Sequence, residues 1–411
     1  MNPTFLRSVV ASTSAVRQMF DLGRAFAAEG KHPIDLSLGN PTVKPPTAYY
    51  DALQNILTES RSSLLNAHAY MPNAGYPATR ARVAADVAKR FGLPFTGNDI
   101  IMTVGAANAL DASLRTAIEP VFLPDGTIRT RQDDVIVTAP YFVEYDHYIK
   151  QNQGRVVVVH ATDQFMLNVD AIEVVLSKYT AAILINSPNN PTGAVYDEQS
   201  LQKLARILQK KEQETGHTIA VIEDCPYDQL IFQGHTFASI LPYYKHTLYV
   251  TSLSKSLGIA GERIGFIAVN PDWKDDGELV RNALVANMRT RVVNAPALPQ
   301  RVIERIGILH TGEIRTYEKR INRLADVLKE LHFRFPTPQA AFYLFAELPP
   351  QFADEKEFRQ KAHEGNEPLL YTPGAAFGSS KYARYVRFSA CASDEEIERA
   401  VGKLRAICHR N

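Results

Sequence analysis

The chain has 411 residues, 45% of them apolar and 22% charged, with a formal net charge of +1. Such a length and balance predict a soluble globular protein of two or three domains. They give no electrostatic case for nucleic acid or an anionic membrane as partner, and no apolar run approaches the length of a membrane span. Residues 8–30 read as a helix leading into Ile34-Asp35-Leu36-Ser37-Leu38-Gly39-Asn40-Pro41. From about residue 96, short apolar runs alternate with helical patterns, which argues α/β architecture. The runs fall at 100–104, 135–137, 156–159, 183–185, 220–222, 248–250 and 266–269. Seven runs without polar alternation predict a mostly parallel seven-stranded sheet, buried on both faces by helices such as 107–118 and 197–213. After Asn270 the pattern changes. A long helical stretch over 296–331 precedes only two strand-like runs, 342–345 and 385–388. A last helix starts at Ser393 with Glu396 three residues on, a capping box. This tail predicts a smaller α+β domain.

The chemistry-bearing residues sit between these elements. Lys255 lies just after the run Leu248-Tyr249-Val250. A lysine amine is a strong nucleophile only without its proton, and nearby cations or an apolar pocket make it a Schiff-base former. Asp224 ends another strand, and open α/β sheets bind ligands at the carboxyl ends of their strands. Glu223 is its rival one residue earlier, facing the opposite side. Val104-Gly105-Ala106-Ala107-Asn108 follows a strand and opens a helix, and backbone N–H groups at such a start bind phosphate. Arg387 offers a planar fork suited to a carboxylate. The cysteines Cys225, Cys391 and Cys408 have no paired or metal-like spacing and predict reduced thiols in the cytoplasm.

Asn186-Ser187-Pro188-Asn189-Asn190-Pro191-Thr192-Gly193, then Asp224-Cys225-Pro226-Tyr227, then Ser252-Leu253-Ser254-Lys255 and Arg263 stand in a telling order. Together they resemble the class I/II pyridoxal-phosphate-dependent aminotransferases of fold type I. The resemblance runs from Gly39 to Arg387, and what it implies is specific. A large cofactor-binding domain spans 47–295, and a smaller domain is built from 1–46 and 296–411. The cofactor is pyridoxal 5′-phosphate. Lys255 forms the Schiff base and later moves the substrate's α-proton. Asp224 holds the ring nitrogen protonated, while Tyr227 and Asn190 donate to the phenolic oxygen. Gly105, Ala106, Ala107, Ser252 and Arg263 cradle the phosphate. The two alanines depart from the family's usual glycine, serine or threonine, which keeps backbone donation and loses a hydroxyl contact.

In the same resemblance Phe142 stacks on the cofactor ring, with Tyr141 as the alternative. Arg387, Asn190 and Gly39 hold the substrate, with Arg384 a nearby competitor for Arg387. Tyr70 reaches the cofactor phosphate of a neighbouring subunit, which implies a homodimer with shared active sites. Arg289 and Arg291 are both candidates to bind a substrate side-chain carboxylate from the partner chain. The implied reaction moves an amino group between an L-amino acid and a 2-oxo acid. The alternative is a lyase on the same fold, by C–S β-elimination or aminocyclopropane formation. No metal is expected. A ligand-sensing regulator needs a further DNA-binding domain ahead of this fold, and the early start of the match sets that reading aside.

Overall fold

The computed structural model describes residues 15–62, 66–121, 123, 126–309 and 314–409. Twelve strands are formed among them, and seven belong to one sheet. Those seven are β2 (Ile100–Thr103), β3 (Asp134–Ala139), β4 (Arg155–His160), β5 (Thr180–Asn186), β6 (Ala220–Asp224), β7 (Thr247–Ser252) and β8 (Gly265–Val269). Their spatial order is β2-β8-β7-β6-β5-β3-β4. All pairs are parallel except the two made by β8, which runs antiparallel to both β2 and β7. Each of the seven apolar runs of the sequence became one of these strands.

Both faces of the sheet are covered because side chains alternate along a strand. Val135, Val137, Ala182 and Leu184 pack on one side with Ala109, Leu110 and Leu114 of the helix Gly105–Ala117. Ile136, Ile183 and Ile185 face the other way and meet Leu201, Leu204 and Leu208 of the helix Glu198–Thr215. That helix begins where the Asp197 side chain accepts from Ser200 N–H and ends at Gly216 in the left-handed region.

The remaining strands build two small sheets. β1 (Ile34–Asp35) pairs in parallel with β10 (Leu369–Leu370), so the N-terminal segment joins the C-terminal part of the chain. β9 (Tyr343–Glu347), β11 (Thr372–Pro373) and β12 (Tyr385–Ser389) form the other, antiparallel, in the order β11-β12-β9. Ile34 and Leu36 share a core with Leu344, Val386 and Phe388. The fold is thus a large α/β body beside a smaller α+β body drawn from both ends of the chain.

Two expectations change. The stretch 296–331 is not one helix. Ala297–Ile306 stops at Gly307, whose φ of +74° leaves the helical region, and a second helix spans Ile314–Glu330. The first described helix is Ala15–Ala28, and the earlier part of the expected 8–30 helix lies outside the described residues. The capping box at the last helix, Asp394–His409, is present: Ser393 Oγ accepts from Glu396 N–H and the Glu396 carboxylate accepts from Ser393 N–H.

Candidate active site

Three neighbouring strand ends make the floor of the site. Asn186 ends β5 and stands opposite Asp224, which ends β6. Ser252 ends β7 and stands opposite Gly265 of β8. The carboxyl ends of parallel strands therefore bring Asn186, Asp224 and Ser252 to one edge, where a cavity of about 570 Å³ opens. Of the cofactor- and substrate-binding residues expected within one chain, all line this cavity except Gly105; Tyr70, Arg289 and Arg291, expected to serve a partner chain, do not.

Asp224 is buried and its Oδ2 accepts a 2.5 Å hydrogen bond from Tyr145 Oη. Its Oδ1 is buried with no partner among the described residues. Burial pushes this carboxyl up to about 7, against the opposing effect of the Tyr145 hydrogen bond. Its backbone is fixed as well, because Asn186 Nδ2 donates to the Asp224 carbonyl at 2.8 Å. Glu223 faces the other side of β6, where Ser239 Oγ and Ile240 N–H donate to it. The alternation of the strand thus separates the two rivals.

Lys255 sits in the one-turn helix Leu253–Ser256, whose cap is the Ser252 hydroxyl accepting from Ser254 N–H at 3.1 Å. The ammonium donates to the Gly39 carbonyl at 2.5 Å. Burial, reinforced by the Arg263 and Arg387 charges, lowers its pKa to about 8. That places an amine within reach of its neutral, nucleophilic form near physiological pH. Gly39 leaves no room for a side chain, since a Cβ there would collide with the Tyr343 hydroxyl. Tyr343 Oη in turn lies 3.1 Å from Tyr227 Oη.

A cluster of hydrogen-bond donors lies at the start of the helix Gly105–Ala117. Gly105 has φ +68°, and a Cβ there would sit 2.7 Å from Arg263 Nη2. Gly105 does not line the cavity but sets the turn that lets Arg263, Ala106 and Ala107 do so. Arg263 Nη1 is steadied by the Ala260 carbonyl at 3.0 Å. Helix N–H groups, the Ser252 hydroxyl and a guanidinium are a suitable donor set for phosphate.

Arg387 is 1% exposed, on the middle of β12. Its Nη1 donates to Asn190 Oδ1 at 2.9 Å, and its Nη2 to Thr372 Oγ1 at 3.1 Å and to the Ser37 carbonyl. Its Nε is buried without a partner among the described residues. The ring of Tyr343 lies 4.4 Å from the guanidinium carbon. Arg384 is spent elsewhere, on the carbonyls of Phe352 and Ala353. Phe142 lines the cavity, whereas Tyr141 turns away and donates to Asp146.

The chain does not bring Tyr70, Arg289 or Arg291 to its own cavity. Tyr70 is 92% exposed. Arg291 pairs with Asp111 at 3.5 Å, and Arg289 is exposed on the last turn of the helix Gly277–Val292. Tyr145, Asn186 and Tyr343, each a partner of a site residue, were not among the residues expected at the site. Asn186 carried a signal, since it opens the quoted Asn186-Ser187-Pro188 run. Tyr145 carried none, because its bond to Asp224 spans 79 residues of sequence.

These residues fit pyridoxal phosphate. The lone Oδ1 of Asp224 suits a protonated ring nitrogen, the Gly105 turn excludes a side chain where phosphate would lie, and Lys255 supplies the amine.

Fold and site together define an aminotransferase. Residues 31–404 match the model of the family "Aminotransferase class I and II", and the chain belongs to that family. It is similar to a probable aspartate aminotransferase of Methanocaldococcus jannaschii, 26% identical over 96% of both chains. It is also similar to aromatic-amino-acid aminotransferase 2 of Thermococcus litoralis, 27% identical over 98% of this chain and 97% of that one. Among solved structures, an aminotransferase from Eubacterium rectale superposes with a TM-score of 0.87 at 30% identity, over 99% of this chain and 98% of the other.

Proposed function

We propose that the protein is a pyridoxal-phosphate-dependent aminotransferase that passes an amino group from an L-amino acid to a 2-oxo acid. One observation carries the reading: an unpartnered buried carboxylate oxygen of Asp224 faces the same cavity as a half-buried lysine and a buried arginine. Pyridoxal phosphate, when bound, supplies a reactive carbonyl and an electron-withdrawing ring. Asp224 would hold the proton on the ring nitrogen. Tyr227 and Asn190 would donate to the phenolic oxygen, and Gly105, Ala106, Ala107, Ser252 and Arg263 would hold the phosphate. Phe142 would cover one face of the ring.

The substrate's α-carboxylate is then clamped by Arg387, which Asn190 and Thr372 keep in one rotamer. Gly39 closes over it. Lys255, with its lowered pKa, would move the proton from the substrate α-carbon to the cofactor carbon that bears the nitrogen. The names of relatives, which include aspartate and aromatic-amino-acid aminotransferases, support amino acid donors as the substrate class. We also read the protein as a cytoplasmic homodimer of amino-acid metabolism whose site takes Tyr70 from the second copy. The three cysteines are free and buried, in keeping with a reducing compartment.

The test is Lys255→Ala. Turnover should fall to background while pyridoxal phosphate still binds, because the cradle is intact. Borohydride should fix the cofactor to the wild-type chain and not to the variant. Covalent fixation in the variant would remove Lys255 from its role. Release of pyruvate and ammonia from an amino acid without any 2-oxo acid acceptor would favour a lyase instead.

A further inference from the structure

Two carboxylates line the cavity, Asp224 and Glu144. Asp224 has a role above, and Glu144 has none. Glu144 lies two residues after Phe142 and immediately before the short helix Tyr145–Gln151. Acids at helix starts are common, and most answer the helix dipole in water. Glu144 is half-buried in the cavity wall instead, and its carboxylate has no hydrogen bond or ion pair among the described residues.

The cations of the cavity are committed elsewhere. Lys255 is bonded to Gly39, Arg263 to Ala260 and Arg387 to Asn190, and Arg17 has Asp21 at 3.4 Å. Close to Glu144 stands Tyr148, also on the wall, whose hydroxyl is pushed up chiefly by burial and then by the Glu144 charge. The rest of the lining is largely apolar, with Phe20, Leu38, Leu110 and Val143. The cavity that Arg387 lines therefore also holds apolar side chains and one carboxylate without a partner among the described residues.

We propose that Glu144 reads the substrate's side chain and selects an amino acid with an aliphatic stem and a nitrogen donor at its end: an ammonium, a guanidinium or a carboxamide. The proposal rests on the aminotransferase reading of the same site. A carboxylate and an N–H donor make a charge-assisted hydrogen bond, the stronger kind. A dicarboxylic substrate would bring a second negative charge against Glu144, and repulsion is as effective a source of specificity as attraction. The apolar wall accommodates the stem.

The experiment compares kcat/KM for lysine, glutamine, norleucine and glutamate, using enzyme loaded with pyridoxal phosphate and a common 2-oxo acid acceptor. The wild-type enzyme should prefer lysine or glutamine to glutamate. In Glu144→Gln the ratio of lysine to norleucine should fall by about tenfold, the equivalent of one strong contact, and that of glutamate to norleucine should rise. Glu144→Asp, which keeps the charge, should retain most of the lysine preference. Cofactor absorbance reports that each variant is folded and loaded. A wild-type preference for glutamate overturns the proposal. So does a Glu144→Gln enzyme that slows all four donors equally, which is the outcome expected if Glu144 instead pairs with an arginine of a second copy. Failure of every donor, norleucine included, sinks the aminotransferase reading itself and this proposal with it.

Discussion

In the proposed function most of the chemistry turns on Asp224, and Tyr145 is the side chain hydrogen-bonded to it. The hydroxyl donates to Oδ2 at 2.5 Å, and both groups are buried. Tyr145 is itself pinned, stacked on Tyr141 at 6.0 Å and met edge-on by Phe142 at 5.7 Å. The hydrogen bond favours the ionised carboxylate, whereas burial favours the neutral acid and raises its pKa to about 7. Tyr145→Phe removes the favourable contribution and leaves the desolvation. The Asp224 carboxyl should then hold its proton to a higher pH. A hydrogen bond to a charged group contributes about 1.5–3 kcal/mol, so cofactor affinity at neutral pH should fall by roughly tenfold or more. The acidic limb of a plot of affinity against pH should also move upward. Titrating the variant with pyridoxal phosphate at several pH values checks both. Weakened binding with an unmoved acidic limb would make Tyr145 a packing residue only.

At the scale of elements, the strand-to-helix turn after β2 deserves the closest test. Gly105 adopts φ +68°, and the Arg263 guanidinium fills the space a Cβ would need. Gly265 on β8 is equally confined, since a Cβ there would lie 2.5 Å from the Thr251 carbonyl oxygen and 3.0 Å from the Gly105 carbonyl carbon. Gly105→Ala should cost about 1–2 kcal/mol of backbone strain and displace Arg263 from the cradle. Thermal melts should show the first, and weaker binding of pyridoxal phosphate the second. Undiminished affinity would mean that Arg263 does not serve the phosphate. The elements themselves were largely legible in the sequence, because a strand buried on both faces carries a continuous apolar run, as Val135-Ile136-Val137 of β3 and Ile183-Leu184-Ile185 of β5 do. Direction was not legible: Phe266-Ile267-Ala268-Val269 is as apolar as its neighbours, yet β8 runs antiparallel. The break at Gly307 was hidden within a continuous helical pattern. Motif spacing marked the residues that chemistry demands at fixed positions, such as Asp224 and Lys255. It could not mark Tyr145 or Tyr343, which act through contacts between distant segments.

Two properties belong to the whole molecule. The first is its response to pH. Glu223 is fully buried, and burial lifts its pKa from 4.5 to about 7 despite hydrogen bonds from Ser239 and Ile240. A folded-state pKa above the unfolded one means that the native protein holds the proton more tightly. This stabilising contribution is complete below about pH 4.5 and is lost as pH rises through about 7. Its full size is about 3 kcal/mol. Glu223→Gln, which cannot ionise, should therefore flatten the fall in melting temperature between pH 5 and 8, roughly the window this shift defines. An unchanged slope would place the titration elsewhere. The second property is assembly. Tyr70 is 92% exposed, and its loop is tied to the end of the helix Gly277–Val292: Asn73 Nδ2 donates to the Val293 carbonyl at 3.1 Å, and Asn294 Nδ2 donates to those of Met71 and Pro72. In the proposed homodimer, a tyrosine held outward on a braced loop would enter the second copy's site. Tyr70→Phe and Lys255→Ala should each be poorly active alone. Mixed by unfolding and refolding together, they should recover roughly a quarter of wild-type activity, since half the dimers are hybrids with one sound site in two. If hybrids form and no activity returns, Tyr70 serves its own chain or no site at all.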